Sequence, residues 1–316
     1  MHAIRHLKAL YSRLPVSEFT PIKLKAVRER MAADDWSRQY INRSVARLRH
    51  VFKWGTENEM VPPSVLHGLQ AVAALRYGRT EVRESEQVKP VPEAFVDAVL
   101  PFVSPVIATM IELQRLTGMR SGEVTAMRSC DINTAGKVWV YSPAAHKTAF
   151  RGHERKIYLG PQAQQNLKPF LRADTAAYLF SPAEAMLLHH QARHAARTTP
   201  LSCGNRPGTN RTKKPAHKPG SKYNTAAYRR AITRGVEAVN KARQAEALEK
   251  RVELVESQLV PNWHPHQLRH NAATNLRREH GIEIARIILG HRSAAMTEVY
   301  AEVDHARAID VMARIG

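Results

Sequence analysis

Between Gly78 and Pro92 the chain shows no apolar period. The stretch is polar and charged, and Pro90 and Pro92 stand at its end. Such a segment reads as a connector between two parts that each bury their own core. It therefore divides the chain into a first domain over 1–78, a linker over 79–91 and a second domain over 92–316. A length of 316 residues supplies enough apolar material for both.

The first part reads as all-helical. Pro21 suits the opening turn of a helix, where its missing N–H costs nothing. Ile41, Val45, Leu48, Val51 and Phe52 recur at helical spacing from about Ser37 to Glu59. Pro62 and Pro63 stop that helix, and Ser64 to Leu75 predicts a last short one. Arg38, Arg43, Arg47 and Arg49 decorate the long helix, and residues 1–50 hold eleven Lys/Arg against four Asp/Glu. Taken alone, that charge run is a solvated face; Arg43 and Arg47 are its candidates for nucleic-acid contact.

The second part is mixed. Helical patterns run to Leu116, Gly118 interrupts them, and another helix starts near Ser121. Val138, Val140 and Tyr141 form one strand-like run and Arg155 to Leu159 another. With Lys147–Thr148 they suggest a small antiparallel sheet, so the fold class is mainly α with a small antiparallel β-sheet. From Ala185 to Val236 there is no acid, but eleven Lys/Arg and four His. Its core, the basic insertion at about 185–222, includes a Pro-, Gly-, Asn- and Lys-rich stretch from Pro200 to Lys222. That stretch is either a disordered basic loop or a phosphate clamp in which Lys213 and Lys214 make contacts.

Charge narrows the class of partner. Lys plus Arg exceed Asp plus Glu by 48 to 28, a net +20, and such a field concentrates polyanions around the protein. A soluble basic protein of another kind carries the same surplus, so charge alone does not decide. Cys130 and Cys203 are too few and too far apart for a disulfide framework, which fits a reducing cytosol. No signal peptide is visible, and Ala98 to Leu116 is broken by Ser104, Pro101, Pro105 and Glu112. The expectation is a cytoplasmic, nucleoid-associated protein without a membrane partner.

The most informative segment is His264-Pro-His-Gln-Leu-Arg-His270. Pro265 suits a first helical turn. His266 and Arg269, three apart, share a face opposite Leu268, Ala272 and Leu276. Gly281 predicts a helix stop, Ile282 to Leu289 the next helix, and Gly290-His291 its end. Tyr300 follows nine residues after His291. His266 and His270 at i, i+4 resemble a zinc spacing. The acid expected after the first histidine is Gln267, however, and no third ligand stands out, so no metal and no cofactor is expected.

These residues carry a resemblance. His266-x-x-Arg269, Leu289-Gly290-His291 and Tyr300 are similar, in order and spacing, to the second catalytic box of the tyrosine recombinase (phage integrase) family. Leu116-Thr-Gly-Met-Arg120-Ser-Gly-Glu123 resembles the first box, and Lys147 aligns with the family's sheet lysine. Tyr40-Ile-Asn-Arg43 through Trp54 looks like its helical core-binding domain. The likeness covers most of the chain, apart from about Ser181 to Asn262. It implies a helical DNA core-binding domain plus an α+β catalytic domain. It leaves open whether an arm-binding domain is dispensed with or absent from a shortened chain.

The resemblance also implies roles, and the chemistry agrees with them. Arg120 and Arg269 would fork onto the two non-bridging oxygens of a DNA phosphodiester, as a metal otherwise does. His266 would manage the tyrosine proton, and His291 would donate a further hydrogen bond to the phosphate. Lys147 would protonate the departing 5′ oxygen, while Glu123, one helical turn from Arg120, would orient its neighbours. Tyr300 would attack and form a 3′-phosphotyrosyl link, so that rejoining needs no nucleotide. Each residue alone has a plainer reading as packing or surface charge. Their joint occurrence in one order is what carries the inference.

The partners expected are double-stranded DNA and three further copies, a homotetramer on paired sites joined through a C-terminal helix. Val303, Ala306, Ile309, Met312 and Ala313 line one face of that helix. Type IB topoisomerase-like relaxation and a catalytically silent DNA-binding regulator remain as alternatives.

Overall fold

The computed structural model describes residues 2–145, 154–200, 202–203 and 219–291, with 293, 295 and 297. Lys147, Lys213, Lys214, Tyr300 and the predicted C-terminal helix lie outside the described residues. The chain divides into two compact units, Met1–Gln87 and Val88–Gly316.

The first unit holds four α-helices among its described residues: α1 (His2–Tyr11), α2 (Pro21–Ala33), α3 (Arg38–Glu57) and α4 (Pro63–Gln70). Pro21 occupies the first turn of α2, and Thr20 caps it by accepting from the Lys23 N–H. Ile41, Val45, Leu48 and Phe52 of α3 are buried, whereas Val51 is 46% exposed. Val51 therefore leaves the predicted stripe, as its angular position at the stripe's edge allows. Phe19 stacks on Phe52 at 5.0 Å and closes this core.

The arginines of α3 separate into two kinds. Arg43 and Arg47 are exposed and one turn apart. Arg38 instead donates to Glu84 Oε1 and to the Leu75 carbonyl, and its backbone N–H donates to Arg83 O at 2.8 Å. Arg38 thus ties the segment after α4 to this unit.

The second unit contains α5 (Glu93–Val99), α6 (Pro105–Thr117) and α7 (Ser121–Thr125), then β1 (Ile132–Asn133), β2 (Trp139–Tyr141) and β3 (Ile157–Leu159). Next come α8 (Pro161–Leu167), α9 (Pro182–Ala195), α10 (Thr225–Glu249) and α11 (Pro265–Leu289). The strands form one antiparallel sheet in the order β1-β2-β3, with Ile132 opposite Tyr141 and Tyr141 opposite Ile157. The mainly helical class with a small antiparallel sheet is what the sequence implied. Part of the basic insertion is helical, since α9 runs into it, with Ser181 accepting from the Glu184 N–H.

Tyr141, Ile157, Leu159, Phe180, Tyr228 and Leu268 belong to one buried core under the sheet and helices. Asn271 of α11 fastens the start of the unit to it. Its amide donates to Val91 O at 2.6 Å and its oxygen accepts from Val91 N at 2.8 Å. Within α11, Gly281 has φ +82°, a backbone that only glycine adopts without strain, and it divides the element where a stop was expected. Among the described residues, no helix is long and apolar enough to cross a membrane.

Candidate active site

Two turns, one helix and the residues just before β3 converge in the second unit. The first turn is Gly118–Glu123. Gly118 ends α6 with φ +63°, and Arg120 sits at the N-cap of α7. Glu123, with a side chain 4% exposed, accepts from the Arg120 backbone N–H and from Arg120 Nη1, each at 2.7 Å. One carboxylate therefore fixes both the backbone and the guanidinium of Arg120. Tyr141 of β2 adds a strut, its hydroxyl donating to the Glu123 carbonyl at 2.9 Å. Burial pushes the Glu123 carboxyl up, but Arg155 and Arg120 outweigh it and leave the group below the usual carboxylate range.

The second component is Arg269 on α11, only 1% exposed. Its Nη1 donates to Gly118 O at 2.6 Å, and its Nη2 donates to Leu289 O at 2.7 Å and meets His291 Nε2 at 2.6 Å. A buried guanidinium stays charged, so each of these carbonyls gains a charge-assisted bond. His266, one turn earlier, is exposed, and its ring meets His270 edge-on at 5.2 Å. Although their spacing puts His266 and Arg269 near one face, the boundary of the core falls between them.

Gly118 is therefore constrained twice, by its positive φ and by lack of room. A Cβ there would lie 2.5 Å from Leu289 Cδ2 and 3.1 Å from Ala272 Cβ. Gly118→Ala is expected to destabilise the fold by about 2–3 kcal/mol, measurable by denaturant titration.

The second turn presents His291. Gly290, with φ +64°, ends α11, and His291 is buried. Arginine has no acceptor, so His291 Nε2 must accept from Arg269 and the ring proton sits on Nδ1, 3.0 Å from Thr297 Oγ1. The pKa agrees. Burial first, then Arg269, Arg120 and Arg155, lower it from 6.5 to about 3. Three guanidiniums are thus near enough to disfavour one more positive charge.

A pH dependence follows. An unfolded histidine binds its proton near pH 6.5, whereas folded His291 resists it down to about pH 3. The stabilisation is complete above pH 6.5 and is lost as pH falls toward 3, at up to about 1.4 kcal/mol per pH unit. Denaturant titrations across this window are expected to show that slope, and His291→Asn to flatten it.

The sequence pattern marks Arg155 only as the first residue of a strand-like run. It is buried at 6% and reaches the same cluster. Its Nε lies 3.3 Å from Glu123 Oε1, and its Nη1 donates to Ile288 O at 3.0 Å. A signal was present. Arg155, Ile157 and Leu159 alternate with Lys156 and Tyr158, which places a charge in register with core positions.

Of the predicted site, the described residues bring together Arg120, Glu123, Arg269 and His291, with His266 on the same helix as Arg269. Such a cluster suits an anion, with paired guanidiniums for its oxygens and, among the described residues, a Glu123 carboxylate already engaged by Arg120 and Arg155.

The same arrangement of elements occurs in known structures. A lambda integrase dimer bound to a COC′ core site aligns with 96% of this chain and 86% of its own, at 13% identity and a TM-score of 0.61. A Tn1549 transposon integrase in complex with a circular intermediate DNA aligns over 98% and 91%, at 16% identity and a TM-score of 0.60. XerH site-specific recombinase bound to difH aligns over 97% and 77%, at 13% identity and a TM-score of 0.53. A comparison with curated proteins finds no match. The family model described as "Phage integrase family" matches residues 96–307. The chain belongs to the phage integrase family. It is a tyrosine-type site-specific DNA recombinase.

Proposed function

We propose that this recombinase cuts and rejoins double-stranded DNA through a covalent 3′-phosphotyrosyl intermediate formed by Tyr300, with Arg120 and Arg269 holding the scissile phosphate. The observation that carries this reading is the gathering of Arg120, Arg155 and Arg269 around His291 and Glu123. A pentacoordinate phosphorane carries extra charge on its non-bridging oxygens, and preorganised guanidiniums stabilise that charge. His266 is exposed beside Arg269, where it can exchange the tyrosine proton with solvent. Lys147 supplies the proton for the departing 5′ oxygen. Neutral His291 supports Arg269 and holds a ring N–H toward Thr297; donation to phosphate would require that proton to shift to Nε2.

The solved relatives are DNA complexes, and the net charge of +20 favours a polyanion. Exposed Arg43 and Arg47 of α3, and Lys213 and Lys214 of the insertion, are assigned to phosphate contacts. The assembly proposed is four protomers on two paired sites, joined through the C-terminal helix.

The test uses a nicked duplex whose cleaved fragment diffuses away. The full chain is expected to accumulate a denaturant-resistant protein–DNA adduct, equally with chelator present. Binding without any adduct sinks the reading in favour of a silent regulator. Relaxation of plasmid lacking a specific site would favour topoisomerase action.

A further inference from the structure

We infer that Arg155 is a positioning residue of the strand-transfer site, joining the turn that carries Arg120 to the turn that carries His291. The inference rests on the reading that Arg120 and Arg269 hold the scissile phosphate.

Geometry makes the case. The Arg155 side chain is 4% exposed, and its Nε and Nη1 are engaged by a carboxylate and two backbone carbonyls of the protein itself. One guanidinium reaches three segments: Glu123 in the first turn of α7, Lys156 O just before β3 and Ile288 O at the end of α11. The last carbonyls of a helix have no partner within it and carry its negative end. Here two successive ones are taken by two arginines, Ile288 O by Arg155 and Leu289 O by Arg269. Arg155 is thus linked to Arg120 through Glu123, and to Arg269 through the neighbouring peptide. Gly290 leaves room for this contact, since a Cβ there would collide with Arg155 Nη1.

Stability alone is a poor account of this arginine. Its position faces the core beside Ile157 and Leu159, where an apolar side chain avoids the desolvation cost. Nη2 has no hydrogen-bond partner among the described residues, so the burial is incompletely offset. What an apolar residue cannot provide is a fixed distance between the two turns. That distance sets whether both phosphate-holding guanidiniums meet one phosphorus at once.

The test compares Arg155→Met, Arg155→Lys, Arg120→Ala and the Arg120→Ala/Arg155→Met double variant in the full chain. Single-turnover cleavage of the nicked duplex at saturating protein is measured beside DNA affinity and thermal midpoint. Arg155→Met is expected to slow cleavage about 10–100-fold while affinity changes less than about threefold. Arg155→Lys, which retains charge without the fork, recovers only part of that rate. In the double variant the losses combine to less than their product, because Arg155 acts through Arg120. Should Arg155→Met fail to fold, Arg155→Lys carries the same comparison of rate against affinity. Folded Arg155 variants that cut at the wild-type rate, or losses that multiply, overturn the assignment. If Arg120→Ala itself cuts normally, the site reading fails first; if Arg120→Ala is silent while Arg155→Met is fully active, only the role of Arg155 falls.

Discussion

Tyr300→Phe is expected to abolish strand scission, leaving DNA affinity and the thermal midpoint unchanged. The substitution removes one oxygen and keeps the ring, so packing is disturbed little. Without that oxygen no phosphotyrosyl bond forms, and the energy of the cleaved phosphodiester has nowhere to be stored. Among the assigned groups none substitutes as a nucleophile. A guanidinium has no acceptor lone pair with which to attack phosphorus, and His291 already uses Nε2 to accept from Arg269. The measurement is adduct formation on the nicked duplex under single-turnover conditions. A Tyr300→Phe chain that still forms the adduct would move the nucleophile elsewhere and remove the basis of the proposed function.

Arg269 carries the second large effect, and it acts on activity and stability together. Arg269→Ala strands the Gly118 and Leu289 carbonyls in the interior and withdraws the donor to His291. The expected loss of folding stability is about 3–5 kcal/mol. That is enough to confuse an activity assay, so Arg269→Lys is the cleaner probe. An ammonium keeps the charge but is one compact donor, and it cannot span two carbonyls and a phosphate oxygen with fixed geometry. Cleavage is expected to fall on the order of 10²–10³-fold, for a stability loss of about 1–2 kcal/mol. Wild-type cleavage by a folded Arg269→Lys chain would show that this guanidinium is purely structural.

Local rules made much of the fold legible. Pro21 and Pro265 opened helices where a missing N–H is harmless, and Gly118, Gly281 and Gly290 marked the breaks with positive φ. The α3 stripe was readable except at Val51, which lies where apolar and solvent faces meet. Two features resisted. Arg38 resembled its exposed neighbours Arg43 and Arg47, yet it binds Glu84 and the Leu75 carbonyl, partners 46 and 37 residues away. Arg155 looked like an ordinary strand end because its partners Glu123 and Ile288 are 32 and 133 residues distant. Helical and strand periods report which way a side chain points, not what it meets there.

The order and spacing of Arg120, Glu123, His266, Arg269, His291 and Tyr300, the division of the chain near Gly78–Pro92 and the basic excess are properties of the linear sequence. They suffice for the class of chemistry, because spacing on helices and turns is a local matter. Tertiary structure decided which polar groups lose water. It buried Arg269 against a carbonyl 151 residues away and left His266 outside. It also buried His291 near three guanidiniums, and burial first, then those charges, keeps the ring neutral. Desolvation and charge pairing depend on distances across the folded chain, and no pattern along the sequence specifies those distances.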